Sequence, residues 1–269
     1  MLPKGMLRAL LLFACVLAPA QAQDAGALRK RHADLSGQLA DNPFGRPLYV
    51  ESSASGGAHK GEVYAVIEQP FDVVASALAR PEAWCDILKL QVNVKRCRVS
   101  DGALATRVTR RPRDSVDDAH RVDFRYDVAA ADADYLRVTL SAPEGPLGTR
   151  DYQLRLEAAP LDSGRTFLHM SYAYSLGFMA RRALDAYLAG AGRDKRGFSV
   201  DGGERGVIER SAMRYYLAIE AYLESLAAPP GERLDRRLRD WYAAITRYPQ
   251  LHEAVGAEEY VQMKRREAS

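Results

Sequence analysis

Residues 204–227 read ERGVIERSAMRYYLAIEAYLESLA. Ile208, Ala212, Tyr215, Ile219, Tyr222 and Leu226 recur at steps of four, three, four, three and four. That spacing gathers side chains on one face of an α-helix. Glu209, Arg214 and Glu220 fall elsewhere, and Ala227-Ala228-Pro229-Pro230 ends the run. The stretch predicts one long amphipathic helix. Its apolar stripe must be buried against another element, so the fold depends on what that element is.

Upstream the pattern has period two. Strands are expected over Gln91–Val99, Ala103–Arg110, His120–Val128, Tyr135–Ala142, Thr149–Glu157 and Thr166–Ser175, with turn residues between them. Val122, Phe124, Tyr126 and Val128 alternate with Arg121, Asp123, Arg125 and Asp127; Tyr152, Leu154 and Leu156 alternate with Asp151, Gln153 and Arg155. Such alternation predicts an antiparallel sheet with one buried and one wet face. Two earlier strands are expected at Leu48–Ser52 and Gly61–Glu68, joined by a Ser- and Gly-rich loop over Ser53–Lys60. Short helices follow at Phe71–Ala79 and from Pro81 to Leu88. A helix is expected over residues 25–40, and another over Phe178–Leu188, followed by a loop to Gly203. Two more end the chain, one marked by Leu234, Leu238, Trp241 and Ile245, the other over residues 251–266.

The expected fold class is therefore α+β: a curved antiparallel sheet wrapped around a long C-terminal helix, with extra helices at both ends. This is the helix-grip arrangement. In order and in the stretches NPFGRPLYVESS (42–53), WCDILKLQVNVKRC (84–97), GPLGTRDYQL (145–154), YLAGAGRDKRGFSV (187–200) and ERSAMRYYLAIEAYL (209–223), the chain resembles the START-like superfamily. That group includes Bet v 1-type allergens, polyketide cyclases and lipid-transfer domains. More narrowly, the chain is similar to exported bacterial START-like proteins of unassigned function. The resemblance spans residues 42–227. It implies a ligand cavity between sheet and helix and leaves the ligand unspecified. Residues 23–41 form an N-terminal helical extension, and residues 228–269 a C-terminal one.

The N-terminus reads as a signal peptide over residues 1–22. Lys4 and Arg8 precede the short apolar run ALLLFACVLA, and Ala20-Gln21-Ala22 is a small-x-small cleavage site. The run is short for a membrane span. Lipoprotein anchoring at Cys15 is the alternative, in a poorer motif context. Cleavage after Ala22 removes two basic residues and leaves 247 residues, so the net charge falls from +3 to +1. That balance gives no reason to expect nucleic acid as a partner. The expected location is periplasmic or secreted.

Cys85 and Cys97 remain after cleavage. In an oxidising compartment the expected reading is a disulfide. No histidine lies between or near them, which weakens a zinc reading; a thiol nucleophile with a distant base stays open. No two histidines have metal-ligand spacing, no G-x-S-x-G or phosphate loop is present, and no cofactor is expected.

Tyr126, Tyr152, Met170, Tyr172, Tyr174, Tyr215, Ile219 and Tyr222 are the candidate ligand-binding residues. Singly, each is as well explained by core packing. Together, tyrosines on converging faces suit an apolar ligand with a few polar contacts. His169 alternates out of phase with them and is expected in solvent. Arg210 is the one candidate catalytic group, able to polarise a carbonyl if buried. Three functions follow as expectations: a carrier of a hydrophobic small molecule (lipid or polyketide-like), with a mouth near residues 143–148 and 190–203; a cyclase or aromatase; or a module docking on a membrane or envelope protein through residues 230–266, where Trp241 and Lys264-Arg265-Arg266 lie.

Overall fold

The computed structural model describes residues 20–162, 164–252 and 255–268. The signal peptide and the Cys15 alternative lie almost wholly outside the described residues. Eight strands form one sheet: β1 (Leu48–Ser55), β2 (Ala58–Ile67), β3 (Val94–Ser100), β4 (Ala103–Val108), β5 (His120–Ala131), β6 (Leu136–Glu144), β7 (Thr149–Pro160) and β8 (Thr166–Leu176). The order across the sheet is β1-β2-β8-β7-β6-β5-β4-β3, and every neighbouring pair is antiparallel. The helices are α1 (Ala20–Asp34), α2 (Ser36–Ala40), α3 (Phe71–Leu78), α4 (Pro81–Leu88), α5 (Phe178–Ala189), α6 (Gly203–Ser225), α7 (Arg233–Thr246) and α8 (Ala257–Ala268). The long helix α6 lies on the inner face of the sheet, against β1, β2 and β8. This is the helix-grip fold.

Small residues set the closeness of that packing. A Cβ at Gly61 on β2 would lie 2.9 Å from the Ile208 carbonyl oxygen and 3.0 Å from the Ala212 Cβ. A larger residue at position 61 would push α6 off the sheet. On its other side α6 meets α7, where Leu238, Trp241 and Ile245 are buried. α6 is therefore buried around most of its circumference, Glu209 and Arg210 included.

Three expectations need correction. Ser53–Lys60 is not a loop. β1 and β2 run on into a two-residue turn, with Gly56 at φ 59° and Gly57 at φ 89°. Left-handed conformations at both turn positions suit the twist of a hairpin, and only glycine adopts them freely. His59 accordingly sits on a strand, is buried, and bonds Glu204 at 2.9 Å.

The outer face of the sheet is not uniformly wet. α1 and α2 cover part of it, and Leu28, Leu35 and Leu39 bury a second apolar cluster with Tyr64 and Phe167. His169 lies in this covered region, and its side chain is 14 % exposed. Its ring bonds Glu157 at 2.9 Å and Glu62 at 3.0 Å and stacks on Tyr64 at 4.3 Å. The alternation placed it correctly on the outer face; the helix over that face keeps it from solvent.

Burial pushes the His169 pKa down, but the carboxylates of Glu157 and Glu62 outweigh it, and the net direction is up. Burial pushes Glu62 up, yet His169 and Lys60 bring it down to about 2. Tyr135 bonds Glu157 from the same side, and Arg155 also acts on it. The raised histidine stabilises the fold fully below its ordinary value of 6.5, and that contribution is lost as pH rises through the raised one. The depressed glutamate contributes above 4.5 and loses its contribution as pH falls toward 2. Thermal melts of His169→Gln should therefore fall furthest below wild type between these ordinary values. The gap should narrow at alkaline pH; a pH-independent gap would contradict the ion-pair account.

Candidate ligand cavity

β3, β4 and β5 curl away from α6 at one end of the sheet, and a cavity of about 720 Å³ opens there. Val94, Thr106, Val108, Val122 and Phe124 form its floor on the inner sheet face. Leu88 of α4, Tyr152 of β7, Tyr172 of β8 and Tyr215 of α6 form the opposite wall. The rim comes from Thr109, Arg110, Arg111 and Asp114 between β4 and β5, and from Pro146 and Leu147 between β6 and β7 with Thr149 at the start of β7. The volume falls within the range of roughly 300–1,000 Å³ usual for small-molecule sites.

Two of the lining hydroxyls have partners inside the protein. Thr106 donates to the Val122 carbonyl at 2.7 Å, and Tyr152 donates to Thr149 Oγ1 at 2.8 Å. The rings of Tyr172 and Tyr215 lie 4.7 Å apart. Burial raises both pKa values, Tyr215 to about 12 and Tyr172 well above its ordinary value, so both phenols are neutral. Charge is confined to the rim. The Thr109 hydroxyl donates toward the carbonyls of Arg111 and Asn93, and Asp114 accepts from the Arg111 N–H. Arg110 and Arg111 are exposed at the mouth.

Of the eight expected ligand residues, Tyr152, Tyr172 and Tyr215 line this cavity. Met170, Ile219 and Tyr222 are buried in the apolar core beneath it. Tyr174 stacks between Tyr152 at 5.7 Å and His59 at 5.3 Å, one layer behind the wall. Tyr126 also packs on the core, and its buried hydroxyl has no hydrogen-bond partner among the described residues. Burial raises its pKa to about 12. Thr106, Val108, Val122, Phe124 and the two rim arginines were not singled out from the sequence. The strand alternation carried the inner-face residues, but it does not distinguish a packed position from one facing a void.

Arg210 is 4 % exposed and lies outside the cavity wall. Its guanidinium donates to the carbonyls of Arg196 at 2.8 Å and Lys195 at 3.2 Å. Burial lowers its pKa, against an opposing contribution from Tyr187. Glu209 beside it takes four hydrogen bonds, from the N–H groups of Phe198 and Ser199 and the hydroxyls of Ser52 and Ser199. The two residues clamp residues 195–199 onto α6.

Cys85 and Cys97 form a disulfide with a Cα–Cα distance of 5.1 Å. It joins α4 to β3, each of which also contributes a cavity residue, Leu88 and Val94. Trp84 is fully buried and donates to the Leu78 carbonyl at 2.8 Å, a packing role. Among the described residues no group of three or more His, Cys, Asp or Glu is placed to hold a metal ion. Among them, too, no helix is long and apolar enough to cross a membrane.

No protein-family model matches the sequence, and no curated protein matches it. Solved structures do. Human StAR-related lipid transfer protein 5 is 11 % identical over 77 % of this chain and 97 % of its own, with a TM-score of 0.37. A START superfamily protein from Mycobacterium smegmatis is 14 % identical over 49 % of this chain and 87 % of its own, at a TM-score of 0.34. Norcoclaurine synthase of Thalictrum flavum is 12 % identical over 50 % and 86 %, at 0.37. At these identities and scores the likeness assigns this chain neither a family nor a function.

Proposed function

We propose that the protein binds and carries a hydrophobic small molecule, lipid or polyketide-like, in this cavity. The observation behind the reading is the cavity's polarity profile. Its interior is aliphatic and phenolic, the Thr106 and Tyr152 hydroxyls are bonded internally, and its charges stand at the mouth. Such a site suits an apolar body inserted past Arg110 and Arg111, with an acidic end left among them. Burying apolar surface supplies the affinity at about 25 cal/mol per Å². The disulfide accords with an extracytoplasmic location, which we propose is the periplasm.

Two residues that motivated docking through residues 230–266 are occupied internally. Trp241 is fully buried and stacks on Tyr260 at 5.0 Å. Lys264 donates to the Val94 carbonyl at 2.8 Å, and burial lowers its pKa to about 8.

The test is titration with a fluorescent long-chain fatty acid. Wild type should bind, and Val108→Trp, which places an indole in the void, should weaken binding by about tenfold or more without lowering the melting temperature. Equal binding by both proteins would remove this cavity as the site.

A further inference from the structure

In an antiparallel meander alternate connections share one end of the sheet. The β4–β5 and β6–β7 connections therefore lie together, and the cavity opens between them. β8 ends at the same end and leads into α5. The two most exposed large apolar side chains of the described residues stand there: Phe178 at 74 % and Met179 at 69 %. α5 packs against the short turn Pro146–Gly148, where Leu147 is a further 43 % exposed. Leu147 has φ 60° and ψ 25°, a left-handed conformation that a branched side chain adopts only at a cost. Leu147 also stands on the cavity rim, so it belongs to the mouth and to this apolar tip alike.

A second feature borders the same end. Arg96 faces Arg107 across β3 and β4, and Arg107 faces Arg121 across β4 and β5. All three are exposed on the outer face of the sheet, close to the end where the mouth opens. Like charges in direct register repel. Arg121 is relieved by Asp123 at 2.7 Å. Arg96 and Arg107 have no carboxylate partner among the described residues. The folded chain thus maintains a row of repelling guanidinium groups at the same end of the sheet as the apolar tip.

We propose that this end of the molecule docks on an anionic lipid bilayer. Phe178, Met179 and Leu147 enter the headgroup layer, and the arginine row lies against the surface phosphates. The tip is three side chains on a projecting helix start and turn. That is far below the roughly 800 Å² per partner of a stable protein interface, whereas an interfacial anchor needs only such an apolar point with cations behind it. Guanidinium groups bind phosphate oxygens in bidentate fashion, and a planar anionic surface neutralises all three arginines together. The geometry places the cavity mouth toward the membrane. The proposal goes beyond the carrier reading by naming the surface from which the ligand is taken up.

Vesicle flotation tests it, with phosphatidylcholine alone and with added phosphatidylglycerol. Wild type should float with the anionic vesicles only, and added salt should weaken the binding. Phe178→Ser with Met179→Ser should cost about tenfold or more in affinity. Arg96→Ser with Arg107→Ser should cost about fivefold per arginine. All four positions are exposed, so the variants should melt at or above the wild-type temperature, the arginine pair being relieved of its repulsion. Unchanged flotation of either double variant overturns the proposal, as does failure of wild type to bind. Concentration-dependent self-association abolished by Phe178→Ser with Met179→Ser would also overturn it, assigning the tip to a second copy of the chain. Fatty-acid titration in solution, without vesicles, reports on the cavity separately.

Discussion

Glu209→Ala should destabilise the protein by about 4 kcal/mol, read as a shift in the urea midpoint at unchanged slope. The carboxylate is 0 % exposed and accepts from the Phe198 N–H at 2.6 Å, the Ser199 N–H at 2.8 Å and the Ser52 hydroxyl at 2.6 Å, as well as from the Ser199 hydroxyl. Its removal orphans two backbone donors in a site closed by neighbouring chain, at about 1–3 kcal/mol each. It also removes charge-assisted bonds, which are the stronger class. The local sequence is fitted to this contact. A Cβ at Gly197 would lie 2.4 Å from Glu209 Oε2, so only glycine lets the backbone approach so closely. Phe198, held by the same clamp, packs against Phe44 and Tyr248 at 5.7 Å each. Loss of the clamp should therefore release residues 195–200 to limited proteolysis before the core unfolds. Glu209→Gln keeps the shape and one acceptor, and it should recover part of the loss. If Glu209→Ala melts like wild type, the loop is held by something other than this carboxylate.

The clamp also marks where sequence reasoning stopped. The stripe from Ile208 to Leu226 is legible because a helix with one buried face repeats every three or four residues. Glu209 and Arg210 lie off that stripe, and its spacing gives no sign that they are buried. They are buried because α6 has a second covered side, provided by α7 and by residues 195–199, and one-sided periodicity carries no sign of it. His169 follows the same logic on the sheet: alternation assigned its face, and only the packing of α1 over that face showed its surroundings. The architecture was readable from local spacing, because strand and helix periods survive whatever packs on them. The cavity was readable only in part. Tyr152, Tyr172 and Tyr215 are aromatic residues on converging faces, a signal available in the chain. Thr106, Val108 and Val122 have the same pattern as filled core, and their facing a void depends on how far the sheet curls from α6. The arginine row at positions 96, 107 and 121 needs strand register, including the irregularity between Val94 and Arg96, which is not visible one strand at a time.

Reduction of Cys85–Cys97 should lower stability by about 3 kcal/mol, the chain-entropy value for a loop of this length. For a domain of this size that corresponds to a fall in melting temperature of about 6–12 °C. The cysteines are 12 residues apart, and the loop they close contains the end of α4, the turn through Gln91 and the start of β3. β3 is the edge strand of the sheet, paired on one side by β4 alone. On its free side it is held by the disulfide and by α8, through Lys264 on the Val94 carbonyl. Reduction leaves α8 and removes the covalent tie, so the edge of the sheet loosens while β1, β2 and β8 keep their packing on α6. Leu88 and Val94 flank that tie and both face the cavity. Ligand affinity should therefore fall on reduction together with stability. In Val108→Trp, where the void is filled, only stability should respond. A Cys85→Ala/Cys97→Ser variant, melted and titrated without reductant, separates the bond from side effects of the reducing agent. A variant with wild-type melting temperature and wild-type fatty-acid affinity would show that α8 alone suffices to hold β3 against α4.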